Sequence, residues 1–71
     1  MTTNIEKLIN KGGNCGLFAE TVRSLSKSQG FYERLCKDIN ELDDDSMSNL
    51  IQELSKQQFK DAVDVILWLE N

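Results

Sequence analysis

The chain has no histidine and no proline. Without histidine the commonest general base is missing, and neither a Cys–His nor a Ser–His nucleophile system can be assembled within the chain. Without proline, helix is permitted almost everywhere. Cysteine is sparse: Cys15 and Cys36 stand alone. Two thiols with no imidazole do not complete a four-ligand zinc site, and they supply no disulfide framework. Cys15 lies near a helix start and reads as an incidental turn or core residue, and Cys36 falls in a helical stripe and reads as core. Strand-like alternation of β-branched and polar residues is also missing.

Long apolar runs are absent as well. Nothing approaches the roughly 18 apolar residues of a membrane-spanning helix. The opening residues Met1–Lys7 lack the apolar centre of a signal peptide. The expectation is a cytoplasmic, non-membrane product with reduced thiols.

What is present is a short acidic chain with a normal apolar fraction. Seventy-one residues, with 39% hydrophobic and 28% charged, predict a single folded domain over 1–71 rather than disorder. Twelve acids against eight bases give a net charge of −4. That balance disfavours a phosphate backbone and favours a basic or apolar protein surface as partner.

The 3.6-residue periodicity predicts an all-α fold, a compact bundle of about five short helices with the last two forming a helical hairpin. Thr3 and Glu6 make a capping box for the first helix, whose stripe is Ile5, Leu8 and Ile9, and Gly12 and Gly13 end it. Asn14-Cys15-Gly16 reads as a turn, with Asn14 a candidate N-cap for the second helix. Phe18, Val22 and Leu25 line that helix, while Glu20, Arg23, Ser24 and Lys27 face water. The third helix starts at Ser26 on the capping-box reading or before Phe31 on the glycine reading. Its stripe is Phe31, Leu35, Ile39 and Leu42, widened by Tyr32 and Cys36.

Asp43 reads as an N-cap with Asp44 and Asp45 in the first turn of the fourth helix, and Leu42 and Met47 as its hydrophobic staple. Met47, Leu50, Ile51 and Leu54 form the stripe. As a calcium loop the Asp43 run fails, because Met47, Ser48 and Leu54 stand where an oxygen ligand, a glycine and a glutamate are needed. Gly12-Gly13-Asn14-Cys15-Gly16 likewise lacks the Lys-Ser/Thr ending of a phosphate loop. No cofactor or metal site is expected. Ser55 and Gln58 read as the capping box of a fifth helix after a very short turn.

Residues 22–35, Val22-Arg23-Ser24-Leu25-Ser26-Lys27-Ser28-Gln29-Gly30-Phe31-Tyr32-Glu33-Arg34-Leu35, resemble the helix-turn-helix of phage repressors. In that family a Ser-Gln pair opens the recognition helix and an Arg-Leu follows five residues on. The resemblance implies a DNA-binding regulator with Ser28, Gln29 and Tyr32 toward the major groove and Lys27 and Arg34 near phosphates. Val22 stands where the family prefers alanine and Ser26 where it prefers the turn glycine. Glu33, Asp38 and Glu41 add repulsion along the same helix.

The last segment, Phe59 to Leu69, is too apolar for one buried face. Phe59, Ala62, Val63, Ile66 and Leu69 share a stripe at i, i+3, i+4, i+7 spacing, read here as core. Val65 and the single tryptophan, Trp68, then fall on the other side beside Asp61 and Asp64, where either the first or second helix covers them within the fold or a partner does. Tryptophan buries much area and keeps a donor, as interface centres require. The favoured expectation is a non-enzymatic regulator or inhibitor that binds another protein, or itself as a homodimer, through Trp68, Val65, Asp61 and Asp64. By analogy the profile matches a small phage or mobile-element product.

Overall fold

A computed structural model describes residues 2–70. Five α-helices follow one another: α1 (Asn4–Lys11), α2 (Gly13–Leu25), α3 (Gly30–Asn40), α4 (Asp44–Ser55) and α5 (Ala62–Glu70), with no strand among the described residues. The all-α expectation holds. The radius of gyration, 11.1 Å, matches the roughly 11 Å expected when a chain of this length closes around one core.

The N-caps read from sequence operate at α1 and α4, though at α1 the Glu6 carboxylate takes the Thr3 hydroxyl and not the Thr3 N–H that a full capping box requires. Thr3 accepts the Glu6 N–H at 3.2 Å, and its hydroxyl also donates to the Glu6 carboxylate at 3.2 Å. Asp43 accepts the Ser46 N–H at 2.8 Å, which satisfies an otherwise orphaned donor of the first turn. At α3 the glycine reading prevails: Gln29 is the N-cap and the helix begins at Gly30.

Between α1 and α2 the chain reverses within one residue. Gly12 takes φ 75°, a left-handed conformation that side chains with Cβ resist, and it both ends α1 and caps α2. Asn14, Cys15 and Gly16 therefore form the first turn of α2 rather than a loop. Gly16 lets the two helices approach closely: a Cβ placed there would lie 3.3 Å from the Ile9 carbonyl oxygen.

Helix α2 is the centre of the bundle and packs against each of the other four. Cys15, Phe18, Ala19 and Val22 from α2 meet Ile5 and Leu8 of α1, Tyr32 and Ile39 of α3, Met47 and Leu54 of α4, and Val65 of α5 in a single buried cluster. The stripes expected for α1, α2 and α4 all contribute. Phe31, expected in the α3 stripe, is instead 61% exposed, and its ring meets that of Tyr32 edge to face at 5.1 Å.

Two asparagines tie helix ends together by one device. Asn4 at the start of α1 donates to the carbonyls of Ile39 and Leu42 at 2.8 and 3.0 Å, closing the end of α3. Asn14 at the start of α2 donates to Leu54 at 2.9 Å and to Gln57, closing the end of α4. Each pair of carbonyls is spaced i, i+3: the first already accepts the N–H of the second residue, and the side-chain amide bridges it to the carbonyl just past the helix end. Asn14 is thus a tertiary clamp and not the N-cap expected of it.

The expected Ser55–Gln58 capping box does not form. The Ser55 hydroxyl donates back to the Ile51 carbonyl at 2.8 Å and belongs to the last turn of α4, with Lys56 as C-cap. Residues 56–61 make a longer connection than expected. It carries α5 to the side of α2, so α4 and α5 meet chiefly through that central helix and not as a hairpin.

Candidate partner-binding surface

Helix α5 starts where a carboxylate captures its free donors. Asp61 accepts from the N–H groups of Val63 and Asp64 at 3.0 and 3.3 Å, and Asp64 accepts from the Lys60 N–H at 2.7 Å. These two aspartates, expected at the rim of a partner site, are engaged in capping their own helix. Phe59 lies before this start, in the connection, where its N–H donates to Asn14 at 3.3 Å.

That later start turns the helix relative to the face inferred from spacing. Val65 is completely buried, so it is core and unavailable to a partner of the folded chain. Trp68 is half-buried beside it. Its ring meets Phe18 edge to face at 5.9 Å and Phe59 at 5.8 Å. Of the two readings open for this side of the helix, cover by a partner or by the first or second helix, Val65 follows the second, and Phe18 of α2 packs on Trp68. The expectation of the other stripe as core has a physical cause: in a helix apolar on every side, period alone does not say which stripe faces inward, and counting Phe59 into the helix selected the wrong one. Val65, Trp68 and Leu69, at i, i+3, i+4 spacing, form the inner face.

The outer face carries exposed apolar side chains, as Phe31 does on α3. Val63 and Leu67 are 59% and 53% exposed. Beside them Ala62 and Ile66 join Leu17, Glu20, Thr21, Ser24 and Leu25 of α2 around a groove of about 290 Å³. The α5 wall is aliphatic, and the α2 wall sets Leu17 and Leu25 around the polar Glu20, Thr21 and Ser24. Sequence reasoning assigned Ala62, Val63 and Ile66 to the core and did not single out Leu67. The usable signal was the total apolar content of the segment, which exceeds what one inward stripe absorbs.

The residues of the helix-turn-helix resemblance are only partly arranged for a groove of DNA. Lys27, Ser28 and Gln29 are exposed in the connection between α2 and α3, and Arg34 is exposed on α3. Tyr32, expected to face bases, is 5% exposed and packs in the core.

Cys15 is buried at the start of α2, and burial raises its thiol pKa above the ordinary value, partly countered by Lys11. A buried, protonated thiol is a poor nucleophile. Cys36 is partly buried and also unpaired to sulfur. No helix among the described residues is long and apolar enough to cross a membrane.

Comparison with models of protein families, with curated proteins and with solved structures gave no significant match to this chain.

Proposed function

We propose that the chain is a non-enzymatic, acidic binding module that regulates or inhibits another protein by direct contact. The contact surface is the outer face of α5, Val63 and Leu67, together with the partly apolar groove that α5 shares with α2. The observation that carries this reading is the juxtaposition of two large exposed apolar side chains with that groove. Contiguous exposed apolar surface on a small domain is characteristic of association sites. Covering the exposed parts of Val63 and Leu67 is worth roughly 1 kcal/mol apiece.

The absence of histidine and the protonated state of buried Cys15 support a role in binding over one in catalysis. The helix-turn-helix alternative draws less support, because burial of Tyr32 removes one reading residue and the net charge of −4 opposes phosphate contact.

Affinity capture from cells that express the chain tests the reading. The wild type is compared with a Val63→Ser/Leu67→Ser double variant and with Phe31→Ser, an exposed apolar position elsewhere. Proteins retained by the wild type and by Phe31→Ser, but lost with the double variant, are the expected result. Equal capture by all three folded proteins contradicts the assignment.

A further inference from the structure

We infer, resting on the reading of the α2–α5 face as a contact surface, that its occupant is a basic amphipathic helix of another protein rather than a second copy of this chain. The groove has Ala62 and Ile66, one helical turn apart, on the α5 side, and Leu17 and Leu25, about two turns apart with Glu20, Thr21 and Ser24 between them, on the α2 side, so it fits a helix whose apolar stripe is bordered by polar groups. Val63 and Leu67 extend the same face outward.

Charge decides between the occupants. Glu20 stands on the α2 wall, and Asp64 and Glu70 belong to α5. Neither the groove lining nor α5 holds a lysine or arginine. The nearby cations Arg23 and Lys60 are exposed but do not line it. The C-terminal carbonyls of α5 add partial negative charge at the Glu70 end. A two-fold dimer sets one patch against itself, so an α5–α5 pairing opposes the carboxylates of Glu20, Asp64 and Glu70 to their own copies, with Arg23 and Lys60 outside the groove lining. A partner helix with an apolar stripe flanked by lysine or arginine meets the same surface with complementary charge and is steered toward it.

Two synthetic helical peptides about four turns long test this, each with leucine at i, i+3, i+4, i+7, one flanked by lysines and one by glutamates. The full chain is titrated with each while Trp68 fluorescence and backbone amide shifts are followed, and sedimentation gives its oligomeric state. The lysine peptide is expected to shift the amides of Ala62, Ile66 and Leu67, with affinity falling as salt rises. The glutamate peptide is expected to bind at least about tenfold more weakly. Leu67→Ser is expected to weaken the lysine peptide by about fivefold, and Glu33→Gln, on α3, to leave it unchanged.

Equal affinity of the two peptides overturns the charge assignment, as does a shift pattern centred elsewhere. A dimer of the bare chain that Leu67→Ser dissolves makes the occupant a second copy, which overturns this inference and keeps the contact-surface reading. A monomer that binds neither peptide at α5 removes the inference, and if capture is also insensitive to Val63 and Leu67, the underlying reading falls with it.

Discussion

Phe18 of the central helix and Trp68 of the last helix meet edge to face, with ring centroids 5.9 Å apart and planes at 82°. This contact fixes which side of α5 turns inward. Phe18 is 1% exposed. Removing such a ring costs about 3–5 kcal/mol, and a domain this small holds only about that much stability in total. Phe18→Ala is therefore expected to leave much of the population unfolded at room temperature. Trp68→Phe is expected to stay folded, since a ring still fills the site. Circular dichroism with a denaturant series checks both.

Val65 and Leu67 form a matched pair on one helix. Val65→Ala removes fully buried methyl groups and is expected to destabilise by about 2 kcal/mol. Leu67→Ser removes an exposed side chain and is expected to change stability by no more than about 0.5 kcal/mol while it weakens partner capture. Comparing unfolding midpoints with capture yields separates the two roles. Partner loss with Val65→Ala at full stability would be inconsistent with its place in the core.

Asn14 joins the start of α2 to the end of α4 through donors to Leu54 and Gln57 and an acceptor for Phe59. Losing the three hydrogen bonds in Asn14→Ala is expected to cost about 2–4 kcal/mol. Asn14→Asp retains the acceptor but aims a carboxylate at two carbonyls, so it is expected to be no better than alanine. Denaturant unfolding of both variants measures this.

How much of this was legible in the sequence follows from the range of each interaction. Thr3 and Asp43 act on backbone three residues away, so their caps are visible in a short window. The stripes of α1, α2 and α4 were legible for the same reason. Asn14 acts across 40 or more residues, and nothing local distinguishes such a clamp from an N-cap. Ser55 shows the converse case: it has the residues of a capping box, yet its hydroxyl bonds backward to Ile51. For α5, apolar content revealed that surface would remain uncovered, but the inner face was set by Phe18 and Phe59 packing on Trp68. The candidate surface was thus legible as a helix, while which of its faces turns inward was not.

Asp43 links stability to pH. Its hydrogen bonds with Ser46, backbone first and side chain second, hold its carboxyl below the ordinary value. A folded pKa below the unfolded one contributes stability that is present above the unfolded value and lost as pH falls through the folded value. The wild type is expected to lose this contribution below about pH 4. Asp43→Asn keeps a capping side chain and is expected to flatten that part of the acid limb, whereas Asp43→Ala lowers the midpoint at neutral pH as well. Thermal unfolding between pH 2 and 7 reads the difference.

Cys15 and Cys36 differ in reach. Burial at the start of α2 keeps Cys15 protonated, and Cys36 is partly open. Thiol labelling of the native chain is expected in two phases, with Cys36 fast and Cys15 slow, and the slow phase is expected to accelerate in denaturant. Mass mapping of the labelled peptides identifies each phase.

The most direct test of the contact surface is a photo-activatable side chain installed at position 67, with position 34 on α3 as the control site, irradiated in cells that express the chain. The account expects a discrete covalent adduct with another protein from position 67 and none from position 34. Adducts from position 34 alone, or a bare α5 face at every expression level, would contradict it.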